Sequence, residues 1–141
     1  MVHRQVSRSR TVCLILAMIL AGLGWGVRQG EFASVPVAWR DSLASGLWTG
    51  FIYLLWCILL PRLRPVNVLI LALLTTFGLE FARLLNPDWL TKIRSFRLGR
   101  MVFGSYFNQL DLNSYCVGGM VTFCLDGLVS FWIWLRTPVR R

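Results

Sequence analysis

The sequence predicts an all-α integral membrane bundle of about four transmembrane helices, with a basic interfacial or re-entrant element before the last one. Three observations carry that expectation. Hydrophobic residues make up 56% of the 141 residues and charged residues only 15%. A small soluble domain buries only about two-thirds of its unfolded surface, so it cannot hide that much apolar side chain. The apolar residues also gather into four runs close to the ~20 residues that a helix needs to cross a bilayer, and the basic residues collect between the runs. No soluble linker or repeat divides the chain, so residues 1–141 are expected to form a single membrane domain.

The first run, Thr11–Val27, is Gly-rich in its second half (Gly22, Gly24, Gly26), which permits close packing on a neighbouring helix. Arg4, Arg8 and Arg10 before it also suit a signal peptide. The run is long for such a segment and Arg28 follows without an A-x-A site, so a retained helix is expected. The connection to the second run holds Arg28, Glu31, Arg40 and Asp41, whose charges cancel. The second helix is predicted over Ser42–Leu60, carrying Trp48, Tyr53 and Trp56. Pro61-Arg62-Leu63-Arg64-Pro65 then ends one helix and starts the next.

The third helix is predicted over Val66–Leu85 and is terminated by Asn86-Pro87-Asp88. The stretch Trp89–Leu110 mixes Lys92, Arg94, Arg97 and Arg100 with Trp89, Ile93, Phe96 and Phe103, which is the pattern of an amphipathic element at a membrane surface or of a re-entrant one. The fourth helix is predicted over Asp111–Leu135, closing on the aromatic run Phe131-Trp132-Ile133-Trp134.

The net charge is +9. Charges placed between apolar runs are expected to meet anionic lipid headgroups rather than nucleic acid. The N-terminal tail, the Arg62/Arg64 turn and the C-terminal tail are all basic and fall on one side of a four-span chain, which predicts cytoplasmic termini. The connection after the third helix then faces outward despite four basic residues against one acid, Asp88. That departure from the charge rule draws attention to what lies beside it.

Cys13, Cys57, Cys116 and Cys124 all lie in apolar stretches with no C-x-x-C spacing and no histidine nearby, so neither a disulfide framework nor a zinc site is expected. His3 is the one histidine. Catalytic triads, helical zinc motifs and haem ligation are therefore excluded from the core, and no cofactor is expected.

Acidic residues within a bilayer are rare and cost roughly 2.5–3.5 kcal/mol on insertion scales. Glu80 lies late in the third run, roughly 8 Å from its end at 1.5 Å per residue. Arg83 follows one turn later, where it can pair with Glu80. On the fourth helix Asp111, Tyr115, Gly118, Thr122 and Asp126 form one stripe at helical spacing. Asp111 also suits an N-cap. Asp126 has no basic partner in sequence, which leaves another helix, another subunit or a proton as its counterpart. Arg94 is the candidate to reach back to Glu80 or Asp111, and Arg97 and Arg100 continue its side of the basic element. Guanidinium forks match phosphate geometry. Glu80, Arg83, Arg94, Arg97, Arg100, Asp111 and Tyr115 are thus the candidate ligand-binding residues.

Leu79-Glu80-Phe81-Ala82-Arg83-Leu84, then Trp89-Leu90, Arg94, Leu98-Gly99, Val102-Phe103-Gly104, Asp111-Leu112 and Tyr115 with Gly118, resembles a bacterial family of small multi-pass proteins known only as a domain of unknown function. Gly46-Leu47-Trp48 with Tyr53, and Pro36 before them, resemble that family's upstream block. The resemblance runs from about Gly22 to Val121. Arg83 stands where the family usually has Gln, and Ser45 where it has an acid. The order Glu, Arg, Asp also bears a weaker similarity to the VanZ-like membrane proteins, which implies a cell-envelope context.

Together these point to a multi-pass protein of the bacterial cytoplasmic membrane that binds an anionic lipid or envelope-precursor headgroup at an outward-facing polar site. Two further readings fit the same residues: a structural or assembly subunit of a membrane complex, or an ion- or proton-coupled transporter subunit built on Glu80, Asp111 and Asp126. An enzyme is disfavoured, because no nucleophile motif accompanies these carboxyls.

Overall fold

The computed structural model describes residues 9–32, 34–85, 88–96, 99 and 109–136. These residues form α1 (Arg10–Gln29), α2 (Val37–Leu59), α3 (Pro65–Leu85), α4 (Asp88–Ser95) and α5 (Gln109–Arg136). Four of these, over Arg10–Gln29, Val37–Leu59, Pro65–Ala82 and Gln109–Trp132, are long and apolar enough to cross a membrane. The all-α bundle expected from the sequence is therefore present.

Each helix begins and ends where its residues dictate. Gly30 closes α1 in the left-handed region, at φ 78°, and its N–H and that of Glu31 return to the carbonyls of Val27 and Gly26. That double bond satisfies carbonyls left over at the helix end, and the positive φ favours glycine. The second helix starts at Val37, five residues before the predicted Ser42. Pro36 has φ −57° and stands immediately before the first turn, where its missing N–H costs nothing. The charged pair Arg40 and Asp41, taken for connection, instead lies in the first turns of α2. Arg40 Nε donates to the Val35 carbonyl, tying the connection to the helix start. Pro65 opens α3 in the same way.

The helices alternate in direction. Gly24 of α1 lies against Ala44 and Leu47 of α2, and Leu20 lies against Gly50, so α1 and α2 run antiparallel. Gly118 meets Gly46 and Thr122 meets Gly50, so α5 runs parallel to α2. Gly119 lies against Leu69 and Leu73 of α3, which runs antiparallel to α5. The Arg62/Arg64 turn therefore shares one end of the bundle with the start of α1 and the end of α5. The connections after α1 and α3 share the other.

Packing is inverted relative to a soluble core. Large apolar side chains point outward, among them Leu14, Ile15, Met18 and Ile19 on α1, Ile70 and Leu74 on α3, and Leu125 and Leu128 on α5. So many exposed large apolar side chains are rare on soluble monomers and suit lipid. Beside a few larger side chains such as Ile52, Leu54 and Val68, the interior holds small and polar residues: Ala17, Ala44, Ser45, Thr49, Cys57, Ala72 and Thr76 are all buried. Lipid tails are as apolar as leucine, so membrane helices associate through close backbone approach and interhelical hydrogen bonds. α2 and α5 cross closely at Gly118, where any Cβ would overlap the Gly46 carbonyl.

Candidate polar site at the end opposite the termini

Interhelical side-chain hydrogen bonds among the described residues join α2, α3 and α5. Trp56 Nε1 donates to Thr75 Oγ1 at 3.1 Å, joining α2 to α3. Tyr53 Oη donates to Asp126 Oδ2 at 2.7 Å, joining α2 to α5. Tyr115 Oη donates to Glu80 Oε2 at 2.6 Å, joining α5 to α3. Interhelical polar contacts in membranes contribute about 0.5–2 kcal/mol each, enough to select one arrangement among close alternatives.

The stripe predicted on the last helix faces the bundle. Asp111 and Tyr115 are buried, Gly118 touches α2, and Thr122 turns its hydroxyl back to the Gly118 carbonyl. Tyr115 and Asp126 are eleven residues apart, about three turns, so both fall on the same side of α5. One stripe thus carries a donor toward α3 at one level and an acceptor from α2 at another. Asp126 finds its counterpart in Tyr53, a fully buried tyrosine of a neighbouring helix.

At the end opposite the termini, Glu80 has no solvent exposure and Asp111 is 5% exposed. Both lie within reach of Tyr115, Glu80 through the 2.6 Å bond and Asp111 one turn before it on α5. Asp111 stands inside the first turn of α5, not ahead of it, and its carboxylate complements the positive end of the helix dipole. The Phe77 ring lies 6.4 Å from that of Tyr115, giving the pair an apolar wall. Thr76, one turn before Glu80, is buried and spends its hydroxyl on the Ala72 carbonyl.

Arg94 belongs to α4, which starts three residues after α3 ends. Arg94 is half-buried, and its Nε and Nη2 atoms are sheltered from solvent. Leu90, one turn earlier on the same face, is fully buried. The α4 face bearing Arg94 is therefore covered by protein.

Of the seven candidate residues, the structure brings Glu80 and Tyr115 into contact, buries Asp111 one turn away, and turns Arg94 into protein. Arg97, Arg100 and the Arg83 side chain lie outside the described residues. Sequence reasoning missed Tyr53, Ser45 and Thr49 as interior polar residues. Thr49 is fully buried and bonds the Ser45 carbonyl at 3.3 Å. Their spacing on α2 was the available signal: residues 45, 49 and 53 repeat every fourth position along one face.

No solved structure matches this chain. A family model described as "Protein of unknown function (DUF2809)" matches residues 34–119. That range takes in α2, α3, α4 and the first turns of α5, with Glu80, Arg94, Asp111 and Tyr115 inside it and α1 outside. The chain belongs to the DUF2809 family of proteins of unknown function.

Proposed function

We propose that this protein sits in the bacterial cytoplasmic membrane with both termini cytoplasmic, and binds the anionic headgroup of a lipid or lipid-linked envelope precursor at its outward-facing end. The observation that carries this reading is the gathering of Glu80, Tyr115 and Asp111, all buried, at the end where the chain also shelters the Nε and Nη2 atoms of Arg94. Burying that much polarity in a membrane domain is expensive, and such groups commonly mark ligand paths. In this reading Tyr115 holds Glu80, the carboxyls of Glu80 and Asp111 orient the Arg94 guanidinium, and its planar fork engages a phosphate oxygen pair.

The test is native mass spectrometry of the protein ejected from its own membranes, beside an Arg94→Ala variant. A retained anionic or polyprenyl-linked lipid that the variant loses supports the reading. A chain whose bound species ignore the substitution overturns it.

A second reading, an assembly subunit, has its own support in α5. That helix exposes Val117, Met120, Val121, Leu125 and Leu128 along its length. A partner protein retained in the same experiment, in place of lipid, favours this alternative.

A further inference from the structure

The eight residues of α4, with Phe96 immediately after its end, divide into three faces rather than two. Leu90 and Arg94 are one turn apart and point into protein. Trp89 and Ile93 lie about 40° apart around the helix, Phe96 follows on the turn that closes it, its N–H bonded to the Ile93 carbonyl, and the three are 58%, 37% and 71% exposed. Asp88, Thr91, Lys92 and Ser95 make up the remaining face and are exposed as well. The faces follow one another around the axis in the order apolar, covered, polar.

A helix in water gains nothing from an open tryptophan, isoleucine and phenylalanine on one side. A helix sunk into the hydrocarbon would need its Asp88, Thr91, Lys92 and Ser95 face covered, and it is open. A helix lying where protein, lipid and water meet satisfies all three faces at once. The topology puts α4 at that level, because α3 ends just before it and α5 starts its span just after the same connection. Aromatic residues are exposed elsewhere at this end too, Phe32 in the connection after α1 at 40% and Trp39 in the first turn of α2 at 63%. Aromatic rings collect at the headgroup boundary, where an apolar body and a polar edge are both accommodated.

We propose that α4 is a membrane-surface helix seated in one leaflet, with Trp89, Ile93 and Phe96 inserted about 5–10 Å into the headgroup–acyl boundary and Lys92 held at lipid phosphate. The occupant of its apolar face is lipid. Lys92 gives that surface a preference for anionic headgroups. This seating stands whether or not the Arg94 site takes a headgroup. If it does, the ligand reaches Arg94 sideways from the leaflet rather than from bulk water.

The experiment is site-specific photo-crosslinking of the full chain in nanodiscs of phosphatidylglycerol and phosphatidylethanolamine. A benzophenone amino acid replaces Trp89, Ile93 or Phe96 in turn, with Thr91 and Ser95 as comparison positions. Only variants that remain monodisperse are compared. Lipid adducts at 89, 93 and 96 that exceed those at 91 and 95 several-fold are the expected result. Equal lipid labelling at 91 and 95 makes the segment re-entrant and overturns the proposal. Crosslinks from 93 and 96 to protein, within the chain or to a second copy, overturn it by showing the face covered.

Discussion

Tyr115 Oη lies 2.6 Å from Glu80 Oε2, with both side chains inside the bundle. Removing the donor leaves a buried carboxyl short of one partner, while keeping the ring volume. Tyr115→Phe is expected to destabilise the protein by about 1–2 kcal/mol. Glu80→Leu removes the acceptor together with the carboxyl, so it breaks the same contact. The double variant is expected to fall short of the sum of the singles, since one contact is lost only once. Equilibrium unfolding in detergent micelles checks all three, and strict additivity means that the two residues do not interact.

The Tyr53–Asp126 bond makes a parallel case about three turns further along the same side of α5. Tyr53→Phe strips a donor from a carboxyl at hydrocarbon depth and is expected to cost about 1–2 kcal/mol. Asp126→Leu removes the polar group itself, so adding it to Tyr53→Phe should restore most of that loss. The same unfolding measurement reads this out, and a double variant weaker than either single contradicts the pairing.

Gly118 governs how near α5 comes to α2, since a Cβ there overlaps the Gly46 carbonyl backbone, which cannot swing aside. Gly118→Ala is expected to push the helices apart and cost about 1–3 kcal/mol. Gly22→Ala and Gly127→Ala serve as controls, because a Cβ at either position meets open space. Thermal denaturation should separate Gly118→Ala clearly from both controls. Equal melting of all three would remove the close crossing.

Four spans put the two ends of the chain on one side of the membrane. The proposed orientation puts that side, with the Arg62/Arg64 turn, in the cytoplasm. A fluorescent-protein fusion at the C-terminus is expected to fluoresce, while an alkaline-phosphatase fusion there stays inactive. The opposite pattern inverts the orientation and places the Glu80 end in the cytoplasm.

Most of the architecture is legible in the sequence because bilayer thickness fixes helix length, and proline and glycine punctuate the runs. The exception is the start of α2. Arg40 and Asp41 look like connection by charge, but Pro36 sets the first turn ahead of them. The inward stripe of α5 is legible from its helical spacing. Tyr53 is not, since a tyrosine in an apolar helix also suits an interfacial belt, and its partner lies 73 residues away. The pairing of Glu80 is similarly hidden. Arg83 is the neighbour in sequence, whereas the hydroxyl that reaches Glu80 comes from another helix. The three faces of α4 depend on which side the protein covers, and periodicity alone cannot supply that.

The central claim is that the Arg94 end of the bundle takes an anionic headgroup. The most direct measurement is binding of phosphatidylglycerol, titrated into nanodiscs of neutral lipid, for the wild type, Arg94→Ala and Arg62→Ala. Arg62 is exposed in the turn at the opposite end and reports general attraction by positive charge. The account predicts saturable binding that Arg94→Ala abolishes and Arg62→Ala leaves intact. Equal losses in the two variants, or binding that never saturates, would contradict it.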